Sequence, residues 1–164
     1  MTVLLMGVTG AGKTTVGQLL AQQLGWEFAD GDSFHSPANI EKMRRGIALT
    51  DADRGPWLQA IHDAMAQRSA NGQSVVLACS ALKRDYRRRL SQGLEMQIVY
   101  LRGCQEFILS RLTHRLGHYA SGSLVASQFA DLEEPGADEP NVLVVGIERP
   151  TEQIVADIRK QMGL

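Results

Sequence analysis

The fold of this chain is decided by residues 3–14, which read Val3-Leu4-Leu5-Met6-Gly7-Val8-Thr9-Gly10-Ala11-Gly12-Lys13-Thr14. The apolar run Val3–Met6 ends at a glycine and has the profile of a strand covered on both faces. The next eight residues match the pattern GxxxxGK(S/T), and an amphipathic helix follows from about Lys13, with Gly25 as its stop. Glycines let such a loop turn tightly, so that successive N–H groups point at an anion. The segment therefore predicts a strand, a phosphate-binding loop and a helix.

The loop residues predict a site for a nucleoside triphosphate. Backbone N–H groups at the start of the helix would hold the phosphates. Lys13 would place a cation on the β- and γ-phosphates, which also makes it a predicted catalytic residue, and the Thr14 hydroxyl would ligate Mg²⁺. A chance glycine-rich turn is the alternative, and the strand and helix on either side argue against it. We expect ATP and Mg²⁺ to bind here, with the nucleotide held by Gly7, Val8, Thr9, Gly10, Ala11, Gly12, Lys13, Thr14 and Thr15.

Apolar runs and amphipathic segments alternate along the rest of the chain. Further strands are predicted at residues 26–29, 74–79, 97–101 and 142–145. Helices are predicted at residues 37–46, 51–69, 80–90, 105–115, 125–132 and 151–162. Five short strands separated by helices imply a parallel sheet with right-handed crossovers. The predicted fold is an α/β, three-layer sandwich of the P-loop NTPase type, with a five-stranded parallel sheet, helices on both faces, and a small lid at about residues 114–132.

Length and composition limit the class of protein. The 164 residues fit one domain covering residues 1–164, with 44% hydrophobic and 21% charged residues. The net charge of −1 does not favour binding to nucleic acid or to an anionic membrane surface. No apolar run is long enough for a membrane helix, and the first residues lack the features of a signal peptide. The two cysteines, Cys79 and Cys104, have no metal-ligand spacing, so we expect reduced thiols in a cytoplasmic protein.

Polar residues that follow strands two and three are candidates for binding the phosphoryl acceptor. Ligands of open parallel sheets bind at the carboxyl ends of the strands. Asp30 and Asp32 follow strand two, where one carboxylate could hold Mg²⁺ through water and the other could accept a proton from an attacking hydroxyl. An Asp-Gly-Asp turn without chemistry is the alternative. Several of the nearby charges could simply be solvated, and the candidates for contacting the acceptor are Asp32, His35, Lys42, Arg54, Ser80 and Lys83.

A second basic cluster surrounds the predicted lid. Arg111 and Arg115 are four residues apart and project from one face of a helix, and His114 and His118 lie nearby without a convincing metal set. Arginines on a mobile flap can close over the phosphates and stabilise charge during transfer. Ordinary charges at a helix C-terminus are the alternative. The glycines at 117 and 122 favour the lid, with Arg111 binding nucleotide and Arg115 acting in catalysis.

Several segments together resemble the gluconokinases, a family of P-loop small-molecule kinases related in fold to shikimate and adenylate kinases. The resemblance covers nearly the whole chain, and its most specific segments are Asp30-Gly31-Asp32, Asp51–Leu58 and Cys79–Lys83, with support from Tyr86-Arg87, Arg111-Leu112, Ser127-Gln128-Phe129 and Leu132-Glu133. It implies phosphorylation of D-gluconate at its terminal hydroxyl to give 6-phosphogluconate and ADP. It further implies a catalytic role for Asp32, a metal-side role through water for Asp30, and a homodimer.

Two other functions remain open from the sequence. One is a different small-molecule kinase on the same fold, such as a shikimate-type kinase. The other is a nucleotide-regulated switch, but the sequence has no NKxD motif for reading guanine, and a switch would leave the acceptor-side residues without a purpose.

Overall fold

The strand that precedes the phosphate loop lies at the centre of a five-stranded, all-parallel sheet. In this computed structural model the described residues are 1–116 and 122–164, with side chains described for 1–114 and 122–164. The strand order is β2-β3-β1-β4-β5. The strands are β1 (Thr2–Met6), β2 (Glu27–Asp30), β3 (Val75–Ala78), β4 (Met96–Arg102) and β5 (Leu143–Gly146). Because all strands run in one direction, their carboxyl ends share one edge of the sheet.

Helices cover both faces of this sheet. They are α1 (Lys13–Leu24), α2 (Pro37–Arg44), α3 (Asp51–Ala70), α4 (Arg84–Ser91), α5 (Gln105–Leu116), α6 (Gly122–Asp131) and α7 (Thr151–Met162). One apolar cluster joins the sheet to α1, α5, α6 and α7, and a second joins it to α3 and α4. β1 and β3 are buried along their whole length, as strands between two helical layers must be. The predicted three-layer α/β sandwich is confirmed.

The largest error in a predicted boundary is at α4, which begins at Arg84 and not at Ser80. The helix predicted at residues 125–132 also begins earlier, at Gly122. The chain stays paired with the central strand after β3 ends: the Cys79 N–H donates to the Leu5 carbonyl, and the Gly7 N–H donates to the Ser80 carbonyl. Ala81 then takes a positive φ of 44°, which no α-helix allows. Ser80 is therefore held by backbone hydrogen bonding at the end of the central strand β1, and it does not lie at a helix N-terminus.

Two features concern the predicted organisation of the chain. Within the described residues, no helix is long and apolar enough to span a membrane. Of the predicted lid at about 114–132, α6 and the end of α5 are described, and residues 117–121 lie outside the described residues. The lid and the single-domain organisation of residues 1–164 remain predictions.

Candidate active site

Residues 7–14 form a tight loop between β1 and α1. Gly10 and Gly12 have φ values of +80° and +94°, which residues with a side chain rarely adopt. A Cβ on Gly10 would also lie 2.9 Å from Cγ of Leu112 on α5. The glycines are therefore required both for the loop conformation and for the close approach of α5. Gly12 is the N-cap of α1, so the positive end of the helix dipole points into the loop.

Lys13 lies in the centre of this loop and is half-buried. Its ammonium donates to the carbonyls of Gly7 and Val8, both at 2.9 Å. Burial lowers the pKa of Lys13, and the carboxylates of Asp32 and Asp30 act in the opposite direction. A partly desolvated cation interacts strongly with an anion placed beside it, because little water screens the pair. The position is suited to holding a phosphate.

A cavity of about 470 Å³ joins the loop to the carboxyl ends of β2 and β3. Asp30 and Asp32 both line this cavity, Asp30 as the N-cap of a short 3₁₀ turn, Gly31–Phe34, and Asp32 within that turn. Asp30 is tied into the turn, since its carboxylate accepts from the Asp32 N–H at 2.9 Å. Asp32 is exposed toward the cavity space. The cavity is lined by Thr9, Gly10, Gly12, Lys13, Thr14, Thr15, Gln18, Asp30, Asp32, Ala78, Cys79, Ser80 and Gln128.

The donors around the loop fit Mg²⁺ bound together with phosphate. The described residues contain no group of three His, Cys, Asp or Glu side chains that could hold an ion alone. Mg²⁺ usually keeps several waters and takes one or two protein oxygens plus substrate phosphates. The Thr14 hydroxyl at the start of α1 and the Asp30 carboxylate line the same cavity and meet that requirement.

The His35 ring stacks on Trp57 of α3, which fixes the orientation of the imidazole. The two rings stack with centroids 4.3 Å apart and planes 10° apart. The Trp57 indole N–H in turn donates to the Gly31 carbonyl at 2.8 Å, which fixes the stack to the Asp30–Asp32 turn. Burial lowers the pKa of His35, and the Arg54 charge adds to this effect while Asp32 opposes it. These effects favour the neutral imidazole, which can both donate and accept hydrogen bonds.

Arg54 and Lys83 meet in one cationic cluster, although they belong to different elements. The Arg54 guanidinium donates to the Tyr86 hydroxyl at 3.2 Å, and the Lys83 ammonium lies 5.7 Å from the Tyr86 ring centre. Asp51 accepts from the Tyr86 hydroxyl and, at 3.2 Å, from Lys83. These hydrogen bonds, the one from Tyr86 first, hold the pKa of Asp51 below its usual range. The cluster already binds one carboxylate.

Lys42 is not among the residues that line the cavity, and its ammonium is already paired. Its ammonium contacts both carboxylate oxygens of Asp53 at 2.9 Å. Asp53 also accepts from the Thr50 N–H in the capping box that begins α3. The ion pair therefore ties α2 to the start of α3, and Lys42 would need to leave Asp53 to bind a ligand.

Arg111 lies beside Gly12 of the loop and lines a different cavity from Asp32. Its guanidinium is within 4 Å of where a Cβ on Gly12 would stand, and it lies 5.5 Å from the Phe107 ring centre. It lines a second cavity of about 300 Å³, together with Gly10, Thr15, Leu112 and His114. Arg115 is in α5, but its side chain, like all of His118, lies outside the described residues.

Two further residues near the cavity were not predicted from the residue types. Gln128 on α6 accepts from the Thr9 N–H at 2.6 Å across 119 positions of sequence. Arg87, only 1% exposed, binds Glu139 through two nitrogens and donates to the carbonyls of Ala81 and Leu82, so it holds the segment that carries Ser80 and Lys83. Both residues fall in segments that carry the gluconokinase resemblance, which was the only signal for them.

Comparisons with known proteins identify relatives of this chain. The family model for shikimate kinase matches residues 9–162. A gluconokinase from Gluconobacter oxydans (strain 621H) is 47% identical over 149 residues, covering 90% of this chain and 84% of that protein. A thermoresistant gluconokinase from Escherichia coli (strain K12) is 46% identical over 153 residues, covering 93% and 87%. The crystal structure of a gluconokinase from Sinorhizobium meliloti 1021 has a TM-score of 0.85 and 37% identity, covering 99% of this chain and 95% of that one.

The similarity extends over the loop, the acceptor-side residues and the sheet, and the resemblance predicted from the sequence is confirmed. The chain belongs to the gluconokinase family, among the P-loop kinases that also include the shikimate kinases.

Proposed function

We propose that this protein transfers the γ-phosphoryl group of ATP to the terminal hydroxyl of D-gluconate, giving 6-phosphogluconate and ADP. The observation that carries this proposal is the single cavity in which Lys13 of the phosphate loop and Asp32 of the acceptor side meet. The choice of gluconate as the substrate is supported by relatives named gluconokinase, which are 46–47% identical over most of the chain.

The transfer needs a held phosphoryl group and an activated hydroxyl. Lys13 and the loop N–H groups hold the β- and γ-phosphates and stabilise the charge that develops on them. Asp32 accepts the proton as the hydroxyl oxygen bonds to the γ-phosphorus, and the bond to the ADP oxygen breaks. The Thr14 hydroxyl and, through water, the Asp30 carboxylate would hold Mg²⁺, which would neutralise part of the phosphate charge.

Gluconate combines a carboxylate with a polyol chain, and the acceptor side offers groups for both. Arg54 and Lys83 supply the cations for the carboxylate, in a cluster that already accommodates the carboxylate of Asp51. His35, whose neutral form burial favours by lowering its pKa, and Ser80 supply hydrogen bonds to hydroxyls. Lys42 joins them if its pair with Asp53 opens on binding.

Arg111 and Arg115 complete the donor side in this proposal. Arg111 lies beside Gly12 and binds the nucleotide phosphates, and Arg115 acts on the transferred group from a lid at about residues 114–132. We further propose a cytoplasmic homodimer with residues 1–164 as one domain, on the basis of the family resemblance. Both thiols are free, in keeping with a reducing compartment, and burial raises the pKa of Cys79 to about 12, which keeps that thiol protonated.

A substrate panel tests the proposal. The purified protein is assayed with ATP and Mg²⁺ against gluconate, other sugar acids, shikimate and nucleoside monophosphates, with ADP formation coupled to a recording enzyme. We expect the highest kcat/KM with gluconate. Turnover of shikimate or a nucleoside monophosphate without turnover of gluconate would assign the chain to another kinase activity on this fold.

A further inference from the structure

One N–H of the phosphate loop is already bound by a side chain from a distant helix. The Thr9 N–H donates to Oε1 of Gln128 at 2.6 Å. A donor can only face an acceptor, so the carboxamide oxygen points at the loop and the amide nitrogen lies at the other end of the same rigid group. The orientation of Gln128 is thus fixed by the loop itself.

Two contacts seat helix α6 against the rest of the molecule in the conformation that makes this hydrogen bond. Val125, fully buried, belongs to the same apolar cluster as Val8 and Leu112. Just after α6, the Glu133 N–H donates to the Leu82 carbonyl at 2.9 Å. Gln128 therefore lies on a helix that packs through Val125 in the apolar cluster of Val8 and Leu112. The residues just after that helix are hydrogen-bonded to the segment after β3.

The location of Gln128 indicates which end of a bound nucleotide it meets. It lines the cavity that contains Lys13, Asp32 and Ser80, and it is not among the residues of the cavity beside Arg111. Since Asp32 marks where the acceptor hydroxyl would lie, Gln128 is at the acceptor end of the phosphate chain. The phosphoryl group at that end is the one that is transferred.

We propose that Gln128 binds the γ-phosphate of ATP through its Nε2 donors while its oxygen holds the Thr9 N–H. The side chain thereby aligns the transferred group with the loop. The inference rests on the proposed function only in taking ATP as the phosphoryl donor, and it does not depend on the identity of the acceptor.

Substitution by glutamate separates the two ends of the carboxamide. Gln128→Glu keeps an oxygen for the Thr9 N–H but replaces the amide donors by a second, negatively charged oxygen. Gln128→Ala removes both contacts. Ser127→Glu, at an exposed neighbouring position on α6, adds the same charge without altering the contact and serves as the matched control.

Binding of ADP and of a non-hydrolysable ATP analogue is measured by calorimetry with Mg²⁺ and no acceptor. We expect Gln128→Glu to lower the affinity for the ATP analogue by at least about tenfold more than the affinity for ADP. The reason is that a donor to the charged phosphate is replaced by a group of like charge. Gln128→Ala should lower the affinity for the analogue, but not that for ADP, by a few-fold. Ser127→Glu should change the affinities for both nucleotides to the same extent.

Equal losses for both nucleotides in Gln128→Glu, or unchanged binding, would overturn the proposal and leave Gln128 a structural link between α6 and the loop. Melting temperatures show whether each variant is folded, and Gln128→Glu remains informative if Gln128→Ala is not. Failure of gluconate turnover in the unaltered protein would count against the proposed function alone, since these titrations contain no gluconate.

Discussion

The phosphate loop and the acceptor side of the cavity place their charged groups by different means. The loop is one continuous segment, and Lys13 is held by the carbonyls of its own neighbours Gly7 and Val8. The acceptor side takes its cations from three helices or helix starts and pairs them with acids, as in Lys42 with Asp53 and Lys83 with Asp51. A local motif thus positions the proposed donor site, whereas the proposed acceptor site depends on the tertiary arrangement.

The largest effect should come from removing the loop cation. Lys13→Ala should lower kcat for gluconate phosphorylation by about a thousandfold, because no other loop side chain carries positive charge to the phosphates. Steady-state assays with saturating ATP measure this loss. Lys160→Ala, at an exposed site in the last turn of α7, is the control for removal of a surface lysine. A kcat within a few-fold of the unaltered protein would show that the loop works through its backbone alone.

A smaller loss should follow from changing the carboxylate that faces the loop. Asp32→Asn should lower kcat by about a hundredfold, the usual contribution of a general base, and leave ATP affinity nearly unchanged. Turnover and ATP titration on the same preparation separate the two quantities. Asp138→Asn, which removes an exposed carboxylate paired with Arg84, is the control. Unchanged turnover would remove Asp32 from the catalytic role, and a parallel loss of ATP affinity would place it on the donor side.

The same contrast explains how much could be predicted from sequence. The strand, loop and helix of residues 3–24 were confirmed because their patterns are local: an apolar run, glycines at positive φ and a helical stripe. The start of α4 was misplaced because residues 79–80 stay paired with the strand end at Leu5 and Gly7, a contact that propensity does not encode. Local patterns fail where a distant strand decides the conformation.

The residues of the proposed acceptor side could be predicted from the sequence, but the contacts between them could not. Arg54 and Lys83 were singled out, yet the sequence gives no indication that Asp51 and Tyr86 join them into one cluster. The bond from Thr9 to Gln128 spans 119 positions and follows only from how α6 packs. Arg87 lies among several arginines on a basic helix, and only the structure shows that it alone of them is buried against carbonyls and Glu139.

A change in the cationic cluster should affect one substrate only. Arg54→Ala should raise KM for gluconate by roughly tenfold, the cost of losing a charged hydrogen bond, with KM for ATP within about twofold. Arg84→Ala removes an arginine from the first turn of α4 without touching the cluster, and it should leave both KM values near those of the unaltered protein. Should Arg54→Ala raise both KM values together, the cluster would have to act on the loop as well.

The smallest effect concerns the pair that already occupies Lys42. The hydrogen bond from the Thr50 backbone, followed by the one from Lys42, lowers the pKa of Asp53 to about 2. A carboxyl with a depressed folded-state pKa stabilises the fold above its unfolded value, near 4, and loses that contribution as the pH falls toward 2. The difference in unfolding free energy between the unaltered protein and Asp53→Asn should therefore be constant from pH 7 to about pH 5 and shrink below pH 4.

Urea unfolding at several pH values measures this difference, and Glu152→Gln on α7 controls for loss of a surface acid elsewhere. The same variant also decides what Lys42 does. Asp53→Asn frees the Lys42 ammonium, so a lower KM for gluconate would mean that the pair competes with substrate and opens on binding. An unchanged or higher KM would mean that the pair serves only to fix α2 against α3. Lys42 would then no longer be proposed as a residue that binds gluconate.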